Sequence, residues 1–176
     1  MNLILCGFQN CGKTTIAAAF AKTYNYHLID TDNLICQKYN KKNHSQYSIR
    51  EIHQLLGDDK FRETEKAIIR SIHYQPNTII ATGGGALTQP DNVQHLRTLG
   101  KIIYLHVETE TLLVRMLQQN TLPNFIRANA VTEDFSAYIN SRKDLYSTFA
   151  DQQLNITDKT VDECVLLLNQ CITSQF

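Results

Sequence analysis

The sequence predicts an α/β fold, a five-stranded parallel sheet flanked by helices on both faces. Three observations carry this expectation. The runs Leu3–Cys6, Thr78–Ala81 and 102–105 are short and nearly continuous in apolar character, as strands covered on both faces require. Stretches with apolar residues at helical spacing lie between those runs. Strands alternating with helices build βαβ units, whose right-handed crossovers make the sheet parallel.

Taken in order, Leu3–Cys6 is the first strand, and Ile16, Ala19, Phe20 and Ala21 line the apolar side of the helix after it. Residues 26–29 form a second short strand that runs into Asp30, Thr31 and Asp32. A helix through Leu34, Ile35 and Tyr39 follows, then a polar stretch, 40–46, expected as a solvated loop around Lys41 and Lys42. Ser48 and Glu51 make a capping box, opening a short helix through Ile52, Leu55 and Leu56 that Gly57 stops. Residues 58–71 read as the next helix and Thr78–Ala81 as the third strand. Pro90 opens a helix that ends near Gly100, residues 102–105 are the fourth strand, and 111–119 are helical. The stretch 120–131 has no clear period and reads as a mobile connection. Residues 132–146 are helical again and 154–156 are a short fifth strand. A second capping box, Thr160 with Glu163, opens a closing helix with Val161, Cys164, Val165 and Leu168 on one face.

The 176 residues suit one domain, 1–176, with one core. Lys plus Arg and Asp plus Glu number 17 each, so the formal net charge is zero. The basic footprint of a nucleic-acid binder is missing, and any affinity for phosphate has to be local. No apolar run approaches the ~20 residues of a membrane span, and no basic segment followed by a long apolar run opens the chain. The five cysteines are an odd set without C-x-x-C spacing and read as the reduced thiols of a cytoplasmic protein. Cys6 and Cys164 fall on apolar positions. Cys11 sits at a helix start, where a thiolate is favoured, although filling a loop position is its simpler role. None of the six histidines has a partner at metal-ligand spacing, and His27, His53, His73, His95 and His106 read as structural or surface residues.

In such a sheet, ligands sit beyond the carboxyl ends of the strands, and three segments of interest follow strand ends. The first, Gly7 to Thr14, matches G-x-x-x-x-G-K-[ST] in full between a strand and a helix, as a phosphate-binding loop must. Residues Asn10, Cys11, Gly12, Lys13, Thr14 and Thr15 are its nucleotide-binding part, with Lys13 on the β/γ-phosphates and the Thr14 hydroxyl on Mg²⁺. The second is Asp30, Thr31, Asp32. If the chain there is extended, both carboxylates point the same way, one to assist the metal and one to accept a hydroxyl proton. The same residues also suit a helix N-cap. The third, Gly83, Gly84, Gly85, invites close approach of a ligand to the backbone, or is merely a flexible loop. Arg62 and Arg142 lie far apart in sequence, and a pair of guanidinium groups is a natural clamp for a carboxylate. Glu65, one helical turn after Arg62, can orient it, although on local pattern alone an exposed ion pair is the better reading.

In order and spacing, the phosphate loop, Asp30-Thr31-Asp32, Phe61-Arg62-x-x-Glu65, Gly83-Gly84-Gly85 and Arg142-x-x-Leu145-Tyr146 resemble the shikimate kinases, which belong to the nucleoside-monophosphate-kinase-like branch of P-loop proteins. The resemblance covers nearly the whole chain. It implies a P-loop kinase fold with a lid at about 120–131 that closes over ATP, and a helical substrate-binding region at about 32–73. It also implies a cytoplasmic monomer that uses ATP and Mg²⁺ to phosphorylate the 3-hydroxyl of shikimate in aromatic amino acid biosynthesis. On this resemblance Asp30 serves the metal beside Thr14, while Asp32 holds the shikimate hydroxyls and is the candidate base. Arg62 and Arg142 take the carboxylate, Gly84 and Gly85 contact shikimate, and Arg115 lies against adenine. One departure stands out. Where the family's lid carries an arginine for the transferring phosphate, this chain has Leu122, just before Pro123. Arg127 is the expected replacement; low turnover, or Lys13 and Mg²⁺ carrying the charge alone, are the alternatives. The rival readings are a kinase of another hydroxy acid such as gluconate or of a nucleoside monophosphate, and a nucleotide-binding module of weak activity.

Overall fold

The computed structural model describes residues 1–119, 121–122 and 131–173. Five strands, β1 (Leu3–Cys6), β2 (His27–Asp30), β3 (Thr78–Ala81), β4 (Lys101–His106) and β5 (Gln152–Asn155), form one sheet in the order β2-β3-β1-β4-β5. Every pairing in it is parallel. The helices are α1 (Lys13–Tyr24), α2 (Thr31–Asn43), α3 (Ile49–Arg70), α4 (Pro90–Leu99), α5 (Thr109–Gln118), α6 (Val131–Phe149) and α7 (Val161–Thr173). Both β1 and β3 are buried at every residue, and β4 at all but its first, so helices cover both faces as the apolar runs require.

Strand β1 is central, with β3 and β2 on one side and β4 and β5 on the other. The strand order therefore reverses at β1, and the loop leaving its carboxyl end opens onto the crevice where α/β sheets bind ligands. The opposite end of the sheet is tied by Asn2. Its amide donates to the carbonyls of Gln75 (2.8 Å) and Leu99 (2.9 Å) and its oxygen accepts from the Thr78 N–H (3.0 Å). Three chain segments are thereby locked in register under β1.

One expectation needs correction. Residues 40–43 are helical, not loop, because α2 continues until His44 turns left-handed at φ 50. The Asn40 side chain then holds the returning chain, accepting from Ser45 Oγ and the Tyr47 N–H at 2.9 Å each. Lys41 and Lys42 thus sit in a last helical turn, where cations are favoured. As expected, Gly57 stops the first helical stretch, at φ 73 and ψ 167, and the second begins directly after it, so α3 is two helical halves meeting at a kink. Strand β5 ends one residue before the expected stretch does, at Asn155, and α6 runs three residues past its expected end, to Phe149. Both capping boxes form, with Ser48 and Glu51 bonded reciprocally, and likewise Thr160 and Glu163.

Helices α2 and α3 meet over a small apolar cluster of their own, Ile35, Ile52, Phe61 and Ile68. Each such side chain contributes roughly 1.5–3 kcal/mol when fully buried. This cluster is what carries Asp32 and Arg62 to the same side of the crevice.

Candidate active site

A cavity of about 680 Å³ opens at the carboxyl ends of β1 and β3. On one side it is lined by Asn10, Gly12, Lys13, Thr14 and Thr15, and on the other by Asp32, Arg62, Gly84, Gly85 and Arg142. Residues expected to act together from five separate stretches of sequence therefore share one space.

The loop between β1 and α1 is shaped by Gly7, whose φ is +142 and whose β-carbon, were there one, would lie 2.7 Å from the Leu105 carbonyl oxygen. Only glycine satisfies both constraints. Lys13 is 8% exposed, and its ammonium donates to the carbonyls of Gly7 (2.8 Å) and Phe8 (2.7 Å). Asn10 adopts a left-handed φ of 63 and donates from its amide to Thr121 Oγ1 at 2.5 Å. Cys11 fills a loop position, the simpler of its two expected roles. Its side chain is 1% exposed and packs into the core, so only its backbone faces a ligand, and burial removes it as a reactive thiol.

Asp30 and Asp32 are brought together differently from the extended-chain expectation. Asp30 ends β2 and caps α2, accepting the Asn33 N–H at 3.0 Å. Its other oxygen accepts the Thr14 hydroxyl at 2.7 Å. Asp32 lies in the first turn of α2, and helical geometry rather than strand alternation aims it into the cavity. The N-cap and the site are thus one device. Thr14 and Asp30 offer adjacent hard oxygens suited to Mg²⁺; among the described residues no cluster of three or more His, Cys, Asp or Glu side chains could hold a metal by itself.

Of the three glycines after β3, Gly83 and Gly85 admit the protein's own side chains, and Gly84 lies against the backbone of the phosphate loop. A β-carbon on Gly83 would lie 2.5 Å from Asp32 Oδ1 and 3.0 Å from Glu65 Oε1, and one on Gly85 would overlap the Arg62 guanidinium. The carbonyl of Gly84 accepts the Tyr146 hydroxyl and, at 3.5 Å, Arg142 Nη1. Glu65 is 1% exposed and bonds Arg62 Nη1 at 2.9 Å. The pair is therefore not the exposed ion pair that local pattern suggests. Removing Arg62 would strand a buried carboxylate, at a cost of about 3–5 kcal/mol.

Electrostatics follow from this crowding. Burial raises the Asp32 carboxyl to about 6, with Lys13 pulling it down and the Asp30 and Glu65 charges pushing it up. Burial also raises Glu65, against the lowering effect of Arg62. Tyr146 is pushed well above its ordinary range by burial, so its hydroxyl remains a donor.

Arg115 lines a separate cavity of about 150 Å³ behind the phosphate loop, with Gly12, Thr15, Ile156, Lys159 and Val161. Arg127 lies outside the described residues; Leu122 lines the main cavity. Sequence reasoning missed three contributors. Tyr138 lies under Arg142, with the guanidinium 5.5 Å from the ring centroid. Tyr146 tethers Gly84. The spacing Tyr138, Arg142, Tyr146 is the i, i+4, i+8 stripe of one helix face, a signal that could have found both. The third is His53, expected as structural or surface, which stands in the cavity wall.

Known proteins resemble this chain over most of its length. A family model described as shikimate kinase matches residues 9–173. A shikimate kinase of Caldicellulosiruptor saccharolyticus is 38% identical over 122 residues, 69% of this chain and 67% of that protein. One of Caldanaerobacter subterraneus subsp. tengcongensis is 32% identical over 162 residues, 92% of this chain and 90% of that protein. The solved structure of the Acinetobacter baumannii shikimate kinase in complex with shikimate superposes with a TM-score of 0.83 at 24% identity, covering 98% of this chain and 93% of that one. At that identity the superposition speaks for the fold.

Proposed function

The chain belongs to the shikimate kinase family, and we propose that it works as such an enzyme through the following division of labour. It transfers the γ-phosphoryl group of ATP to the 3-hydroxyl of shikimate, yielding 3-phosphoshikimate and ADP, a step in aromatic amino acid biosynthesis. The observation that carries this reading is the single cavity lined both by Gly12, Lys13 and Thr14 and by Asp32, Arg62 and Arg142. A phosphate cradle faces a carboxylate clamp, with the half-buried Asp32 carboxylate between them.

Loop N–H groups from Asn10 to Thr15 and the α1 N-terminus bind the phosphates, and the Lys13 ammonium supplies a point charge to them. Arg115 lies against adenine in the smaller cavity. Thr14 and Asp30 would hold Mg²⁺, Asp30 through water, and the ion would supply positive charge to the phosphates. Arg62 and Arg142 grip the shikimate carboxylate, and Gly84 and Gly85 border the ring. Asp32 orients the hydroxyls and takes the proton from the 3-hydroxyl. A carboxylate raised to about 6 is a stronger base than an ordinary one and is still mostly ionised at neutral pH. In this reading the residues from about 120 to 131 form the lid that excludes water, and Arg127 supplies the charge that Leu122 does not.

Five free cysteines support a reducing cytoplasm, and no helix among the described residues is long and apolar enough to cross a membrane. A coupled ADP-release assay over shikimate, gluconate, AMP and CMP tests the reading. Shikimate alone should stimulate ADP release. Stimulation by gluconate or a nucleotide instead would reassign the acceptor, and ATP binding with no acceptor-dependent release would leave a binding module.

A further inference from the structure

His53 stands in the wall of the main cavity and has no part in the division of labour above. It lies in the first half of α3, and its ring packs on Phe61 with centroids 4.4 Å apart. Its Nε2 is 3.0 Å from Asp58 Oδ1. The same carboxylate oxygen is 3.5 Å from Arg62 Nε. Asp58 therefore bridges the imidazole to a guanidinium of the carboxylate clamp, across the Gly57 kink.

The local charge balance gives this bridge a purpose. Arg62 is paired with two carboxylates, Glu65 at 2.9 Å and Asp58 at 3.5 Å. With both ionised, the Arg62 guanidinium and its two direct partners sum to minus one, so both carboxylates compete with an incoming acceptor for that guanidinium. A protonated His53 brings the group to zero. It also divides the Asp58 charge between two cations, so that Asp58 competes less with the acceptor for Arg62. The other charged groups facing this space are Arg50 from α3, Asp32 from α2, Arg142 from α6 and Lys13 from the phosphate loop. Asp58 is held below the usual carboxylate range, first by its hydrogen bond to His53, with Arg62 and Arg142 adding to the effect.

We propose that His53 is a positioning residue of the acceptor site: through Asp58 it holds the Arg62 guanidinium for the carboxylate of the acceptor, and its protonation tightens acceptor binding. The inference rests on the assignment of Arg62 to the shikimate carboxylate. The side chains of His53 and Asp58 are 41% and 69% exposed, so water screens the effect and it amounts to about two- to five-fold in affinity.

The test is calorimetric titration of the whole chain with shikimate between about pH 5.5 and 8.5, the range an ordinary imidazole spans, for the native protein and for His53→Gln. Glutamine keeps a donor for Asp58 and carries no charge. The ratio of the variant's Kd to the native Kd should be near one at the alkaline end and rise to about two- to five-fold at the acid end. Titration of Asp32 and Glu65 is common to both proteins and cancels in the ratio. A ratio constant with pH overturns the proposal. A second reading needs only the native fold. The imidazole resonance of His53, identified by its loss in the variant, should titrate at higher pH when shikimate saturates the site, because proton and acceptor binding are reciprocal; an unchanged midpoint overturns it as well. If the native protein binds no shikimate at any pH, the acceptor-site reading falls and this proposal with it. Native binding with a flat ratio sinks the role of His53 alone.

Discussion

The Arg62 guanidinium occupies the space that a β-carbon on Gly85 would need. Gly85 has φ −97 and ψ −4, a conformation open to any residue. Its lack of a side chain is therefore a matter of room for Arg62 and not of backbone geometry. The glycine run after β3 is a mould for the groups around it, with Asp32 and Glu65 against Gly83 and Arg62 against Gly85.

Gly85→Ala should accordingly displace Arg62 while leaving the fold intact. Losing one charge-assisted contact to the acceptor raises the KM for shikimate about ten-fold or more, with the KM for ATP near its native value. Steady-state kinetics with each substrate varied in turn check this, and a shikimate KM unmoved by the alanine would refute it.

Asp32 links activity and stability to pH with opposite signs. Its folded carboxyl, at about 6, lies above the ordinary value of 3.8. The folded state therefore binds the proton more tightly than the unfolded state. Stability from this group is lost as pH rises from about 4 through 6, while the ionised base that catalysis needs appears over the upper part of the same range. Asp32→Asn should abolish most turnover yet raise unfolding free energy at pH 7 by roughly 2–3 kcal/mol, with the gain vanishing near pH 4. Urea titrations at the two pH values decide the point.

Lys13→Ala should lower kcat by about 10²-fold or more, because it removes a preorganised charge from the transferring phosphate. ADP release with shikimate present, measured beside a thermal melt to verify the fold, is the check. An active variant would count against the phosphate-loop reading itself.

Tyr146→Phe removes a buried donor from the Gly84 carbonyl and leaves it only the longer contact to Arg142. The expected loss is about 1–3 kcal/mol of stability, read as a lower urea midpoint at unchanged slope. The loss should be accompanied by weaker shikimate binding as Gly84 drifts.

Arg127→Ala should reduce kcat by about 10²-fold or more if Arg127 takes the place of the lid arginine. An unaffected kcat would transfer that charge to Lys13 and Mg²⁺.

Much of this was legible in the sequence because the sheet is parallel. Its central strands are buried on two faces, so β1, β3 and β4 read as apolar runs, and the ends of β1 and β3 mark where Gly7 and Gly83 converge. The outer strands were harder. β5, with Gln152, Gln153 and Asn155, shows no such run, and its bounds shifted. Gly57 was legible as a stop, and the Asp58 to Arg70 half begins directly after its one residue at φ 73. The spacing of Tyr138, Arg142 and Tyr146 puts both tyrosines on the arginine's helix face, but the role of His53 depends on which groups lie across the cavity, and one-dimensional spacing is silent about that. For Glu65, periodicity placed it near Arg62 but burial decided its importance.

Strand β1 carries the phosphate loop and lies between β3 and β4, each joined to it through pairings some 75 to 100 residues apart along the chain, such as Leu3 with Ile79 and with Lys101. The loop's own motif is local, yet its support is not. On the ribosome, β1 and α1 emerge long before the strands that brace them, and Gly7 has no Leu105 carbonyl to nestle against until β4 has followed. The donor half of the site therefore belongs to the late, high-contact-order stage of folding, and nascent fragments ending before β4 should show no nucleotide affinity despite containing the entire motif.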